Sequence, residues 1–383
     1  MRVVKPFGVP VAALALLLSL AVLLVQCSGG GGGGDVSPPI TQQPVVEPEP
    51  FAEIFRQGIA QYQGVYSPML AESDSGHITH TFGAGNGPLC FEGDEYKLST
   101  RDMGSQDLLI FLQGGGACWS DICSCKIDAN HDVPHQGILD PESPQNPFKA
   151  WNMVFLPYCD GSHFAGDRDF DVDDDDDGAF DHHHYQRGLK NLSAGLDVAA
   201  KAFPAPRRVV IAGVSAGGFA TAYALPLVRR LYPDVRIYVI NDSGVGVLPP
   251  GIMGKMLSEW NAEKFIPSSC LDCTTQDGHF SNYYRWQLSE DPRLRLGMMS
   301  YTRDTVIADG FSDMGGDLFE QVLATEMAGI EEAYPGRMHY FMPSGTFHTF
   351  LLGSLQVTAG GMTVAEWIAA MLDDSPEWTS KSD

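Results

Sequence analysis

The stretch RRVVIAGVSAGGFATAY, residues 207–223, runs an apolar segment of strand type into a serine flanked by glycines and then into alanine-rich helix. GVSAG fits the pattern G-x-S-x-G, but in a chain with 42 glycines the pattern alone carries little. Its setting carries more. A strand that ends in a sharp turn and passes straight into a helix holds the serine in a strained backbone, exposed at the end of the sheet. Neighbouring side chains in such a turn would strike adjacent strands, and here the neighbours are Gly213, Ala216, Gly217 and Gly218. The helix N-terminus just beyond also favours negative charge developing at a reacting carbonyl. Ser215 is therefore the candidate nucleophile. The competing reading is a glycine-rich turn that only packs a strand against a helix.

Other apolar runs of strand length recur on both sides of this turn: DLLIFLQ (107–113), WNMVFLPYC (151–159), VRIYVIND (235–242), LRLGMMSYT (294–302) and RMHYFMP (337–343). Several are continuous rather than alternating, as in strands buried on both faces. Helical patterns lie between or beyond them: GLKNLSAGLDVAAKAF, GFATAYALPLVRRLY, LFEQVLATEMAGIEEAY and TVAEWIAAML. Strand alternating with helix predicts an α/β fold with a largely parallel central sheet and helices on both faces. Pro226 is expected to kink the second helix or start a new turn.

A serine hydroxyl is a poor nucleophile near neutral pH, so it needs a base, and the base needs an orienting carboxylate. In a sheet of this kind the chain order is serine, acid, histidine. Of eleven histidines only His279, His339 and His348 follow Ser215. His339 falls inside RMHYFMP, where packing is the expected job, whereas His348 comes just past what reads as the last strand, at the end where α/β sites assemble. For the acid, Asp304 follows LRLGMMSYT directly. Asp242 also ends a strand and is the main competitor, while Asp309 and Asp313 lie further into loop or helix. The glycine run in FLQGGGACWS follows a strand and supplies backbone N–H groups for an oxyanion hole: Gly115 or Gly116, together with Ala216. A phosphate loop would need a Lys-Ser/Thr pair after the glycines, and none follows.

The 383 residues, 44% hydrophobic and 10% aromatic, can bury one large core, and no linker interrupts the chain from Phe51 onward. The net charge of −24 would repel nucleic-acid phosphates. Arg2 and Lys5 precede an uncharged apolar run that ends in Leu24-Val25-Gln26-Cys27, so residues 1–27 read as an export signal. That ending resembles a bacterial lipoprotein cleavage box with Cys27 as the acylated residue, although Gln26 stands where a small residue is usual. The expected location is a bacterial membrane, periplasmic or cell-surface side, with an uncleaved anchor or plain secretion as alternatives. Residues 28–50 are rich in glycine and then proline and read as a tether. Residues 51–383 are expected to form one domain and to act as a monomer. Export permits disulfides, and the seven cysteines other than Cys27 allow at most three, leaving one thiol. CSC and CLDC lack a second pair or histidines that would complete a zinc set.

Several segments together carry a wider likeness: LCFEGDEYKL (89–98), LLIFLQGGGACW (108–119), WNMVFLPYCDGSHFAGD (151–167), YQRGLKNL (185–192), VVIAGVSAGGFATAY and VINDSG. In order and approximate spacing, over about 90–350, the chain resembles the pectin acetylesterase and Notum family of α/β-hydrolases. The resemblance implies an α/β-hydrolase-like fold without cofactor or metal, with Ser215 as nucleophile, Asp304 as acid, His348 as base, and Gly115, Gly116 and Ala216 as oxyanion donors. It also implies removal of an acyl group, acetyl from pectin or a fatty acyl group from a signalling protein. The expected substrate is an acylated polysaccharide or small molecule, with acetyl the expected acyl group. Where the family commonly has a bulky aromatic after the glycines, this chain has Ala117 and Cys118, with Trp119 displaced. Two other readings stand beside it: a lipase-like or polyester-cleaving hydrolase with the same triad, and a non-catalytic glycan- or calcium-binding surface protein.

DRDFDVDDDDDGAFDHHHYQRG inserts an acidic run, near 167–184, between two of these segments. Asp173, Asp175, Asp177 and Gly178 fit the opening of a calcium loop, but His184 stands where that loop needs its bidentate glutamate. The favoured expectation is a solvated, mobile loop.

Overall fold

The computed structural model describes residues 49–383, apart from 84, 174–177 and 275–277. The export signal, Cys27, the tether up to residue 48, and Asp175 and Asp177 lie outside the described residues.

The chain begins with α1 (Ala52–Arg56) and an antiparallel run of β1 (Leu70–Asp74), β2 (His77–Thr81) and β3 (Lys97–Arg101). Then come β4 (Asp107–Leu112), a hairpin of β5 (Gly116–Trp119) and β6 (Ile122–Cys125), and β7 (Asn152–Leu156). A second hairpin, β8 (Arg168–Val172) with β9 (His182–Gln186), precedes α2 (Gly188–Ala202). Thereafter strand and helix alternate: β10 (Arg208–Val214), α3 (Ala216–Leu231), β11 (Arg236–Asp242), α4 (Ile252–Glu259), α5 (Ser281–Glu290), β12 (Arg295–Met299), α6 (Gly316–Ala333) and β13 (Met338–Met342). The small hairpin β14 (Thr358–Ala359) and β15 (Met362–Thr363), α7 (Val364–Leu372) and β16 (Lys381–Ser382) follow.

Ten strands form one sheet in the order β1-β2-β3-β7-β4-β10-β11-β12-β13-β16. From β7 to β16 all neighbours are parallel, and β3 meets β7 antiparallel. The period of two along a strand explains why the central strands read as unbroken apolar runs. Leu108, Ile110 and Leu112 of β4, with Val209 and Ile211 of β10, face a core shared with α2, α3 and α5. Leu109, Phe111, Val210 and Ala212 face the opposite core, filled by Trp367, Ile368 and Met371 of α7. At about 25 cal/mol per Å² of apolar surface buried, these two layers dominate the stability of the sheet. α7 starts on a capping box, with the Glu366 N–H donating to Thr363 Oγ1 (3.2 Å) and the Thr363 N–H to Glu366 Oε2 (2.9 Å).

Several expectations change. The strand before Asp304 stops at Met299, so Asp304 sits five residues beyond it rather than at its tip. β13 is not the last strand, because β16 adds an edge beyond it. α3 continues through Pro226 as one helix, with no new start. The flanks of the acidic insert are not loop. β8 and β9 pair from Arg168 with Gln186 to Val172 with His182, held by Arg187 on Asp169 (2.6 Å) and by His183 on Asp171 (2.5 Å). Of the calcium pattern, Asp173 Oδ2 accepts the Gly178 N–H at 2.8 Å. Asp173 thus serves local turn geometry.

Candidate active site

Ser215 directly follows β10 with φ 54 and ψ −121, a conformation that a residue with a side chain adopts only when its surroundings force it. Its N–H donates to the Asp242 carbonyl at 2.8 Å, tying the turn to β11. Its hydroxyl makes no cap bond to α3. The glycines around it are required by space. A Cβ on Gly213 would lie 2.0 Å from the Gly217 carbonyl oxygen, and one on Gly217 would lie 2.0 Å from that of Leu112. Gly114 brings the β4 bend up to the turn, since a Cβ there would meet Val214 O at 2.5 Å and Ser215 Cβ at 2.9 Å.

His348 Nδ1 lies 2.7 Å from Asp304 Oδ2. Asp304 is fully buried, and its other oxygen accepts the N–H groups of Val306 (3.1 Å) and Ile307 (3.2 Å). Those amides belong to a short π-helical turn, Val306–Phe311, which fixes the carboxylate so that the imidazole must come to it. The two loops are laced together by Thr302 N to Pro343 O, Arg303 N to Gly345 O and Thr305 N to Thr346 O (3.0–3.2 Å). His348 Nε2 is buried and has no hydrogen-bond partner among the described residues. It is free to take a proton.

Asp242, the competing acid, makes no bond to His348 among the described residues. Its carboxylate accepts the N–H groups of Phe350 (2.7 Å) and Leu351 (2.8 Å), just past His348, and burial pushes its carboxyl up to about 6. It holds the histidine loop by its side chain and the serine turn by its carbonyl. Asp309 and Asp313 are exposed. His279 Nδ1 contacts the Leu248 carbonyl (2.9 Å), and His339 pairs with Glu331 (2.6 Å) against Trp378.

Ser215, His348, Gly115, Gly116 and Ala216 line one cavity of about 330 Å³. Ala216 opens α3, where the first amides have no partner within the helix. Gly116 has φ 79 and starts β5, so the glycine bend is the root of a hairpin rather than a free loop. A Cβ on Gly116 would lie 2.0 Å from Ser124 O on the facing strand. The Cys118–Cys123 disulfide closes that hairpin directly above the bend. Among the described residues Cys90–Cys159 and Cys270–Cys273 are the other bridges, and Cys125 is the thiol left over. Burial pushes that thiol up to about 12, which keeps it protonated and inert.

Sequence reasoning missed His163. It is 3% exposed, lines the same cavity, and burial holds its imidazole down to about 3. Phe219, Ile307, Phe311 and Leu352 supply most of the apolar wall, and the Lys126 stem packs over Gly115 at the mouth. No local signal marked these residues, because only the fold of the 160–165 turn and the π-helical turn brings them to Ser215.

A serine on a strained strand-to-helix turn, at the carboxyl end of a mostly parallel sheet layered by helices, defines an α/β-hydrolase-like protein. The pectinacetylesterase family profile matches residues 77–268, half of the chain, and the protein belongs to that family. Pectin acetylesterase 5 of Arabidopsis thaliana is 29% identical over 164 residues, 39% of this chain and 37% of that protein. Pectin acetylesterase 11 of the same plant is 26% identical over 224 residues, 52% of this chain and 55% of that one. The palmitoleoyl-protein carboxylesterase notum2 of Xenopus laevis is 27% identical over 159 residues, 37% of this chain and 31% of that protein. The matches thus span from about a third to about half the length of these relatives. The family match contains Ser215 and the glycine bend and ends before Asp304 and His348.

Proposed function

We propose that this protein is an exported serine carboxylesterase that removes acyl groups, chiefly acetyl, from a polysaccharide. The observation that carries the reading is the 2.7 Å contact between His348 and Asp304, with the free Nε2 of His348 in a cavity that Ser215 and the glycine bend also line. His348 takes the Ser215 proton as Oγ attacks the ester carbonyl. Asp304 holds the ring in the tautomer with its proton on Nδ1 and stabilises the imidazolium. Amides of Gly115 or Gly116 and of Ala216 stabilise the oxyanion, an effect typically worth about 3 kcal/mol for a single donor. His348 protonates the departing alcohol, then activates the water that releases the acyl group.

The names of the plant relatives favour acetylated pectin as the first polymer to try, and that of the frog relative a fatty-acylated protein. Three disulfides favour an oxidising compartment. Tethering through lipidated Cys27 belongs to the same reading. The wild type should hydrolyse p-nitrophenyl acetate and release acetate from acetylated pectin. Ser215→Ala should lower both rates by at least about 10⁴-fold with its fold intact. Turnover by folded Ser215→Ala at the wild-type rate would refute the assignment.

A further inference from the structure

The cavity around Ser215 has two unlike ends. Among its lining residues Gly116, Val306 and Lys126 are exposed and mark the mouth, whereas Val214, Phe219 and Ile307 are buried and mark the closed end. A bulky alcohol or polymer can only remain at the mouth, so the acyl group is the part that enters.

The closed end is not uniformly apolar. His163 stands there, its ring stacked 4.7 Å from Phe219 and edge-on 4.9 Å from Trp260, with Phe311 at 5.8 Å. Its backbone has φ 53, and the following Phe164 has φ 59, so the chain takes up two unfavourable conformations in succession at this point. The His163 N–H donates to the Tyr158 hydroxyl at 3.1 Å. Neither ring nitrogen has a hydrogen-bond partner among the described residues. Polar groups in protein interiors are nearly always satisfied, and both ring nitrogens keep a small accessible surface through which a partner can reach them. Here the open space that can supply a partner is the cavity itself.

We infer that His163 is a specificity-determining residue that selects acyl groups by hydrogen bonding at the closed end, an inference that rests on the esterase reading. An acetyl group leaves room in about 330 Å³ for a water, which occupies about 30 Å³ in the liquid, and that water satisfies the imidazole. An unsubstituted chain long enough to reach the ring, for which butyryl is the probe, displaces that water and leaves the ring unpaired. A chain of the same length bearing a hydroxyl displaces it and restores the bond. Burial keeps the ring neutral, so it offers one donor and one acceptor, which suits a hydroxyl and gives no charge attraction for an anion. The selected class is therefore acetyl and short hydroxyacyl esters over plain alkanoyl esters.

The test compares kcat/KM for p-nitrophenyl acetate, butyrate and 3-hydroxybutyrate in wild type and His163→Phe, which keeps ring volume and removes both nitrogens. The wild type should prefer 3-hydroxybutyrate to butyrate by about tenfold, the worth of one neutral hydrogen bond. In His163→Phe the ratio should fall close to one, with butyrate gaining on acetate. If His163→Phe does not fold, His163→Asn decides, because asparagine accepts the left-handed backbone and its shorter side chain withdraws from the acyl path. The same loss of preference is expected. A wild-type ratio near one, or an equal ratio in wild type and a folded variant, overturns the role of His163 while leaving the esterase reading in place. If the wild type turns over none of the three esters, the esterase reading fails, and this inference with it.

Discussion

At Ser215 backbone and side chain serve one end. The positive φ breaks the line of β10 at Ser215, which lines the cavity, and the Asp242 carbonyl holds the turn there. The two buried acids divide the labour: Asp304 meets the imidazole, and Asp242 meets the amides that carry its loop. Asp304→Asn should therefore cost about 10³–10⁴ in kcat with little change in Tm, through loss of the correct imidazole tautomer. Asp242→Asn should lose less rate and more stability, since the Phe350 and Leu351 amides both give up a charged acceptor. Steady-state kinetics beside thermal melts separates the two, and the opposite ranking would reverse the assignment. His163 gives a signature in pH. Its folded value near 3 lies below the ordinary value near 6.5, so the unfolded chain gains a proton first as pH falls. The stability tied to the neutral ring is present above about pH 6.5 and is lost on acidification. By pH 5 the loss relative to neutral pH reaches about 2 kcal/mol, and a variant without the imidazole escapes it. The Tm difference between wild type and His163→Phe should move against the wild type between pH 7.5 and pH 5.

β10, the turn and α3 act as one rigid piece because carbonyls leave no space for side chains at Gly213 and Gly217. Gly217→Ala would press a methyl group onto the Leu112 carbonyl at 2.0 Å, forcing α3 away from β4. The expected result is a loss of at least about 3 kcal/mol in stability, read by urea denaturation, together with lost ester turnover. A variant as stable and active as the wild type would show that the close approach is not needed. The central strands were legible because burial on both faces leaves apolar runs that no hairpin or surface helix shows. β1 was not: all five of its residues are exposed, and LAESD has no face to declare. The β8–β9 hairpin was hidden by its charge, since Arg187, Asp169, Asp171 and His183 pair across it while reading individually as solvated. Ser215 and the glycine bend announced themselves through local sterics. The choice between Asp304 and Asp242 rested on which residue followed a strand, a rule that Asp242 meets at the end of β11 and that Asp304, five residues beyond β12, does not. What separates them is the direction of the Phe350 and Leu351 amides, which local sequence does not encode. His163 left no trace for the same reason.

Across the molecule, the parallel sheet presents its carboxyl ends to one cavity, and segments more than two hundred residues apart meet there, from Gly115 to His348. The disulfides reinforce this end: Cys118–Cys123 braces the hairpin that follows the glycine bend, and Cys90–Cys159 spans 69 residues to hold the segment after β7. Net charge −24 keeps polyanions without a specific site at a distance and sets the rest of the surface apart from the small, mainly apolar cavity. The most direct measurement is intact mass and peptide mapping of the protein after exposure to a fluorophosphonate. One adduct is predicted, on Ser215, absent in Ser215→Ala and abolished by prior unfolding. A folded, ester-hydrolysing protein that takes up no adduct, or one that keeps its adduct in Ser215→Ala, would contradict the account.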